Sequence, residues 1–242
     1  SIAASTEGQS AAAVYSNAGG SIYLGSEDRK LKKLVFDKAA GAAMNLYSDS
    51  FIYEDKEKKA SGVYARYSDE VESGKTEDDY ILHRSLIEVH AESAELHART
   101  NAVNARNRGL IRMQADKADI HSYYGNQATV SSSGGSEVTI SGADIAIANH
   151  NEHYLKDGNE VEAGADRVAI AGGGFVNPSR KDLQEDYGGS VDKAGDITIS
   201  ADRQLRVDGN IMIDADPDSA AGNSIVINGS NGQALVSITG DI

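Results

Sequence analysis

The stretch Gly195–Ala215, GDITISADRQLRVDGNIMIDA, decides the fold of this chain. Three times within it, an apolar residue is followed two positions later by another, and Gly, Asp or Asn falls between the pairs. The pairs are Ile197 with Ile199, Leu205 with Val207, and Ile211 with Ile213. A spacing of two places both side chains of a pair on one face of a strand, so the stretch predicts short strands joined by tight corners.

The same alternation continues outside this stretch. It runs through residues 81–121 and 136–242, and its phase slips after each short run. Short strands separated by Gly, Asn or Asp corners are typical of a β-helix, in which each rung stacks on the next. One rung cannot bury its own apolar face, so its neighbours along the axis must stabilise it. The Ala-rich part of residues 81–121 also favours helix locally, and helix is the alternative there.

The composition indicates a thin core. Aromatic residues make up only 6% of the chain, with no Trp and three Phe. Such small inward side chains suit an axis shared between chains better than a wide interior. We therefore predict an all-β fold, in which three intertwined chains form a trimeric β-helix or β-prism shaft beside a smaller β-rich N-terminal region. The predicted trimer core consists of Ile87, Val89, Leu96, Ile111, Met113, Val138, Ile140, Ile145, Ile147, Val168, Ile170, Ile197, Ile199, Leu205, Val207, Ile211, Ile213, Ile225, Ile227, Val236 and Ile238.

Changes in amino-acid composition and in apolar pattern divide the chain into three parts. Residues 1–20 are rich in Ala, Ser and Gly and are predicted to form a flexible or docking arm. Residues 21–80 contain short β-favouring pieces between charged turns and are predicted to form an attachment domain. Residues 81–242 would form the shaft, with polar loop excursions at 149–166 and 173–194.

Charge and cysteine content narrow the class of protein. The formal net charge of −14 opposes binding to a nucleic-acid backbone, so no nucleic-acid partner is expected. The chain has no Cys, which excludes disulfides and thiolate metal sites and fits a reducing cytoplasm. The first residues, SIAASTEGQS, lack the basic start and apolar block of a secretory signal. We expect a soluble acidic protein that is assembled in a cytoplasm.

The C-terminal rungs resemble a known family. GDITISADRQLRVDGNIMIDA, followed by NSIVINGSNGQALVSITG, is similar to the C-terminal β-helix of contractile-phage cell-puncturing spikes and of VgrG spikes from type VI secretion. The resemblance covers residues 136–242 apart from the excursions, and residues 81–121 more loosely. It implies a rigid homotrimeric shaft in a virion, as a tail spike, tail fibre or baseplate protein that contacts other virion proteins and contributes to host attachment.

The resemblance has one clear departure. Piercing tips of that family often end in a metal-binding His-x-His, whereas this chain has no His after His153. The similarity therefore implies a structural shaft rather than a membrane-piercing tip. Such a shaft has no cofactor and no catalytic residues, and its partners would be its own copies, other tail or capsid proteins, and a host receptor or glycan.

Histidines are the candidate metal ligands. His83, His90 and His97 follow one another at a spacing of seven, close to the length of one predicted rung, and His90 and His97 are expected to point outward. His150 and His153 lie close together in an excursion. Stacked imidazoles bind transition metals or respond to pH. A solvated ladder of polar positions is the alternative, and it is the interpretation we favour, because no carboxylate or Cys is fixed beside the histidines.

Two other motifs are incomplete. Asp214, Asp216 and Asp218 resemble the start of a calcium loop, but Ser219 and Ile225 replace the Gly and Glu that such a loop requires. The stretch AGGGFVN at residues 171–177 imitates a dinucleotide-binding loop, but it lacks the third Gly and the apolar helix that would follow. We interpret the first as a charged turn and the second as a solenoid corner.

Two functions from other classes remain as alternatives. A carbohydrate-active β-helix enzyme would place two carboxylates in a groove lined by aromatic platforms, and this chain has no Trp and few aromatic residues after residue 80. A secreted β-solenoid adhesin would be a monomer with an export signal. We predict a protein that is not an enzyme.

Overall fold

The computed structural model describes residues 12–17, 19–37, 44–50, 53–55, 64–65, 80–82, 84–106, 108–124, 127–152, 154–156, 159–161, 167–172, 195–213, 224–229 and 234–240. These residues form nineteen strands and no helix, so the fold is all-β. The Ala-rich part of residues 81–121, where helix was the alternative, is strand. No helix of the described segments is both long and apolar enough to cross a membrane.

The nineteen strands are numbered in chain order. The bounds are β1 Ala12–Asn17, β2 Ser21–Leu24, β3 Leu34–Phe36, β4 Met44–Asp49, β5 Tyr53–Asp55, β6 Tyr64–Ala65, β7 Tyr80–Leu82, β8 Leu86–Ala98, β9 Asn101–Arg106, β10 Leu110–Tyr124, β11 Val130–Ser132, β12 Glu137–Glu152, β13 Tyr154–Lys156, β14 Asn159–Val161, β15 Val168–Gly172, β16 Asp196–Asp208, β17 Asn210–Ile213, β18 Ile225–Gly229 and β19 Leu235–Thr239.

Two parallel sheets carry the architecture. The smaller has the order β1-β4-β9-β11-β15-β17, and the larger has the order β2-β8-β10-β12-β16-β18, with β3 also on β8 and β19 also on β16. Each passage of the chain adds one strand to the smaller sheet and then one long strand, or two short ones, to the larger. Neither of the two sheets closes on itself. This stacking of parallel rungs is the arrangement of a β-solenoid.

Inward side chains form columns along the axis, because each parallel pair keeps equivalent residues in register. One column of the larger sheet consists of Ile22, Ile87, Ile111, Val138, Ile197 and Ile225, each paired with the next. The smaller sheet contributes a facing column of Val14, Leu46, Val103, Val130, Ile170 and Ile211. Apolar side chains at a repeat of about 4.8 Å give a continuous core without large aromatic residues.

The rung is longer than the sequence predicted. Ile87 pairs with Ile111, which pairs with Val138, so the rung steps are 24 and 27 residues rather than about seven. The predicted strands of a few residues are in fact strands of up to 16 residues, as in β12. The phase slip of the alternation is a corner inside one long strand. In β8 it lies between Ala91 and Ala94, which are both fully buried.

A glycine allows one of these corners to stack. A Cβ at Gly142 in β12 would lie 1.8 Å from the carbonyl oxygen of Ala115 in β10. The register between β12 and β16 also shifts just after this glycine, before Asp144. Because real Cβ atoms do not approach a carbonyl oxygen so closely, only Gly allows the two rungs to approach here.

The N-terminal region is connected to the shaft by backbone pairing. The strands β1 and β4 extend the smaller sheet, and β2 and β3 extend the larger through β8. Strands β5, β6 and β7 form a separate antiparallel sheet. The division into arm, attachment domain and shaft stays a prediction. The pairings show in addition that part of residues 12–49 belongs to the same stack of rungs as the shaft.

Candidate functional site: an imidazole–tyrosine stack

One outer face carries a stack of rings that crosses three rungs. His97 of β8 and His121 of β10 are direct register partners. Their ring centroids are 5.0 Å apart and nearly parallel. His150 of β12 continues the row, with its ring centroid 5.1 Å from that of His121. Tyr123 lies beside all three, 4.8 Å from His150 and 5.8 Å from His97. We call His97, His121, Tyr123 and His150 the imidazole–tyrosine stack.

Two hydrogen bonds fix the rings within the stack. His97 Nδ1 lies 2.8 Å from the Tyr123 hydroxyl, and His121 Nδ1 lies 2.9 Å from His150 Nε2. Two imidazole nitrogens at that distance need one N–H donor and one lone pair, so at least one of the two rings is a neutral acceptor. The bond therefore disfavours a state in which both rings are protonated.

Burial keeps two rings of the stack, those of His97 and His121, uncharged. Burial, together with the smaller effects of the neighbouring His97 and His150, lowers the pKa of His121 to about 4, while Asp119 opposes the shift. Burial also lowers the pKa of His97, against the attraction of Glu95, Asp37 and Asp119. At neutral pH His97 and His121 are thus neutral imidazoles, and they present an aromatic rather than a cationic surface.

Metal binding is not supported by the arrangement of the described side chains. Within the described ranges, no group of three or more His, Asp or Glu side chains is placed to hold a metal ion. His121 Nδ1 and His150 Nε2 lie close together, but no third described ligand joins them, whereas a zinc site takes three or four protein ligands. The stack can hold three neighbouring rungs together through ring contacts and hydrogen bonds, and its His97 and His121 rings take up protons only below neutral pH.

The other predicted histidines have separate positions. His90 lies on the same strand as His97, so the spacing of seven does not place them on adjacent rungs. Its ring is buried, with Nε2 2.8 Å from Glu88 Oε1 and Nδ1 3.2 Å from Gln114 Oε1. His90 thus shares the face of Glu88 and Gln114, opposite the buried Ile87 and Val89, but its ring is covered, so the expectation of a solvated ring is wrong, and a carboxylate does stand beside it. His83 and His153 lie outside the described residues.

Most residues predicted for the trimer core lie in the interior of this single chain. Sixteen of them are buried: Ile87, Val89, Leu96, Ile111, Met113, Val138, Ile140, Ile145, Ile147, Val168, Ile170, Ile197, Ile199, Leu205, Val207 and Ile211. The exceptions belong to the last rung. Ile213 and Val236 are exposed, while Ile225, Ile227 and Ile238 are only partly buried.

Several outer-face carboxylates are held in ion pairs. Arg84 reaches Glu137 at 2.9 Å, Lys30 reaches Asp116 at 2.8 Å, and Arg203 pairs with Asp144. Asp214, Asp216 and Asp218 of the calcium-like turn, and most of the AGGGFVN stretch, lie outside the described residues.

Sequence reasoning missed His121 and Tyr123. The signal that finds them is the rung step: when AELHA of β8 is aligned with ADIHS of β10, His97 falls on His121. The predicted rung of about seven residues concealed this pairing, because residues seven apart lie on one strand, whereas stacked residues lie 24 apart on neighbouring strands.

Comparison with known proteins adds no relative. No family model matches the chain, and no curated protein and no solved structure is significantly similar to it.

Proposed function

We propose that this chain is a structural protein that forms a rigid β-solenoid shaft. The observation that carries the proposal is the unbroken apolar column from Ile22 to Ile225, with every residue paired in register with the next. Parallel ladders on two sheets resist bending and local opening, because opening one rung exposes the apolar faces of both neighbours. The stack of His97, His121 and Tyr123 ties the same rungs together on the outside.

The context we propose is a phage-like particle, in which the shaft belongs to a tail spike, fibre or baseplate. The similarity of residues 195–240 to spike β-helices supports this context. In it, the residues before the shaft would dock to other virion proteins, and copies would associate as a homotrimer. Because each chain fills its own core, we propose that such a trimer contains three complete solenoids side by side.

A secreted β-solenoid adhesin is the second candidate. The observation that favours it is the burial of Leu96, Ile140 and Leu205 within one chain, since a monomeric solenoid must bury its apolar core without a partner chain.

Native mass and shape test the proposal together. Light scattering and small-angle X-ray scattering on the purified chain should show an elongated particle. A mass near 76 kDa, three times the chain mass of 25.5 kDa, that persists in unheated SDS would support the virion homotrimer. An elongated 25.5 kDa monomer would favour the adhesin. A compact spherical particle would contradict the shaft in either context.

A further inference from the structure

Two tyrosines form a partly exposed pair on the outer face of the smaller sheet. Tyr15 of β1 and Tyr47 of β4 are direct register partners. Their ring centroids are 4.9 Å apart, and the ring planes are nearly parallel, at 9° to one another. Tyr47 covers one face of the Tyr15 ring, yet Tyr15 is still 44% exposed. We call these two residues the tyrosine pair, and the exposed part of Tyr15 is an aromatic surface that Tyr47 holds in place.

A row of polar side chains runs beside the tyrosine pair. Asn17 of β1, Asp49 of β4 and Arg106 of β9 are successive register partners. The Tyr47 hydroxyl donates a hydrogen bond to Asp49 Oδ2 at 2.7 Å, and the side chain of Asn17 hydrogen-bonds to Tyr15. Burial raises the pKa of both tyrosines, and the positive charge of Arg106 opposes that rise, so Arg106 lies near both rings. The rings and the polar row therefore form one patch.

The polar row keeps hydrogen-bonding capacity for a ligand. Asn17 is exposed, and Arg106 is half-buried. A side-chain amide has two N–H donors and an acceptor oxygen, and a guanidinium has five N–H donors, so each group can contact a ligand while it keeps a partner within the protein. Asp49 is only 8% exposed, and its carboxylate fixes Tyr47. The patch thus offers planar polar groups at the rim of an aromatic ring.

This combination of groups suits a sugar. A pyranose has a face of C–H groups, which packs on the electron-rich face of an aromatic ring, and a rim of hydroxyls, which need donors and acceptors. Tyrosine provides such contact area at a low cost in conformational entropy. The charges of Asp49 and Arg106 are opposite and adjacent, and the whole chain has a net charge of −14, so the patch favours a neutral sugar over an acidic one.

The size of the patch argues against a protein partner. A stable protein interface buries about 800 Å² on each partner, with an apolar centre. Along the outward row of the smaller sheet, the residues that follow Tyr47 are Asn104 and Ser131, which are polar. The aromatic surface in this row therefore ends with the tyrosine pair, which has the dimensions of a sugar ring rather than of a protein interface.

We propose that the tyrosine pair, together with Asn17 and Arg106, binds a neutral oligosaccharide with one sugar ring seated on Tyr15. The inference goes beyond the proposed shaft. It needs only the strands β1, β4 and β9, and it holds for a virion protein and for an adhesin alike. In a trimer, three such sites on one particle would bind a glycan-coated surface more tightly than one site does.

Saturation-transfer NMR with two soluble oligosaccharides, cellopentaose and maltopentaose, tests the site. Saturation of the protein's aromatic protons should transfer to the C–H protons of one or both sugars at concentrations up to about 10 mM, a range suited to the weak affinity of a single shallow site. Tyr15→Ala should weaken binding about tenfold or more, because it removes the ring on which the sugar packs. Tyr15→Phe keeps that ring and should retain most of the binding.

Two further variants separate the patch from general aromatic adhesion. Tyr23→Ala is the matched control, because Tyr23 is 62% exposed but lies on the larger sheet beside Glu88, and its loss should leave binding unchanged. Asn17→Ala keeps both rings and removes the amide, so it should weaken binding about two- to tenfold. Circular dichroism checks that each variant retains its strands. If Tyr15→Ala loses them, the comparison of Asn17→Ala with Tyr23→Ala decides in its place.

Three results would overturn the inference. One is that neither sugar receives saturation from the wild type. Another is that Tyr15→Ala, or Asn17→Ala in its place, binds as well as Tyr23→Ala. The third is a wild type that ignores both sugars and associates with itself through Tyr15 in sedimentation velocity, because the patch would then contact a protein. All three leave the elongated particle of the proposed shaft intact, whereas a compact particle that binds sugar through Tyr15 would overturn the shaft alone.

Discussion

The interior rungs and the last described rung, β17–β19, which we call the terminal rung, have the same inward apolar pattern but differ in how much of it is buried. Leu205 and Val236 are register partners on adjacent rungs, yet Leu205 has no exposure and Val236 is 40% exposed. The apolar pattern of a solenoid strand therefore predicts which side chains point inward. Whether those side chains are buried depends on whether another rung covers them. Energies assigned to single side chains should accordingly differ along the axis for chemically similar residues.

The largest expected effect is a charge in an interior column. Ile199→Asp places a carboxylate where Ile199 has no exposure, between Ile140 and Ile227. An unpaired buried charge costs several kcal/mol, more than about 4–5 kcal/mol in the most damaging cases, so the variant should not fold. Its circular dichroism spectrum should lose the β signal at all temperatures.

The matched variant one rung further is Ile227→Asp. Ile227 is only partly buried, so the carboxylate can stay hydrated, and the free chain should fold with a loss of about 1–2 kcal/mol. Chemical denaturation compares the two variants. Equal losses for Ile199→Asp and Ile227→Asp would show that the terminal rung is covered after all.

The next effect is steric and follows the same axis. Gly142→Ala forces a Cβ against the backbone oxygen of Ala115 at an interior corner. We expect a loss of about 2–4 kcal/mol, since backbone on both rungs must move. The control is Gly229→Ala in the terminal rung, where the closest atom to the new Cβ is the side-chain Cβ of Ala234, at 2.8 Å, and the nearest backbone atoms are 3.7 Å away. Because that rung is held on one side, it can shift, and the loss in thermal unfolding should be under about 1 kcal/mol.

The alternation of apolar residues was enough to predict the fold class. Pairs such as Ile197 with Ile199 define the inward face directly, and those residues are buried. What could not be read was how far apart the stacked positions lie, because a corner inside a long strand and a corner between strands both break the alternation. Because of this ambiguity, the predicted strands and rungs were too short. A rung that short cannot enclose a core by itself, and this led to the prediction of a core shared between three chains.

The ring stack illustrates the same limit for the surface. His97 was singled out because of its spacing from His90, but its partner is His121, a full rung away. Stacking and hydrogen bonding between strands depend on register, which local sequence does not specify. The position of His150 depends further on the register shift between Ser122 and Tyr124 on β10, which no sequence pattern announces.

A pH effect should follow from the imidazole–tyrosine stack on the outer face of the interior rungs, since the strands β18 and β19 carry no titratable side chain. The pKa of His121 is lowered to about 4 by burial and by His97 and His150. The unfolded chain then binds more protons between pH 6.5 and 4, so stability is unaffected above pH 6.5 and falls as the pH decreases through that window. The lowered pKa of His97 acts in the same direction.

The size of this effect is reduced by solvent, because the ring of His121 is only partly buried. We expect a loss of about 1 kcal/mol between pH 7 and pH 4.5, well below the full conversion of the shift. The measurement is urea denaturation at both pH values for the wild type and for His121→Phe, which keeps the stacked ring and removes the titration. Equal pH dependence in the two proteins would show that other groups cause it.

The smallest expected effect concerns the ion pairs on the outer face of the interior rungs. Arg84 Nη1 and Glu137 Oε1 are 2.9 Å apart, but both side chains are substantially exposed. Glu137→Gln should therefore cost under about 1 kcal/mol and less still in high salt. Arg84 also donates from Nε to the carbonyl oxygen of Arg108 at 2.9 Å, and this bond survives the substitution. Unfolding at low and high salt measures the loss. A loss above that of Gly229→Ala would mean that outer-face charges, and not the inward columns alone, hold the interior rungs in register.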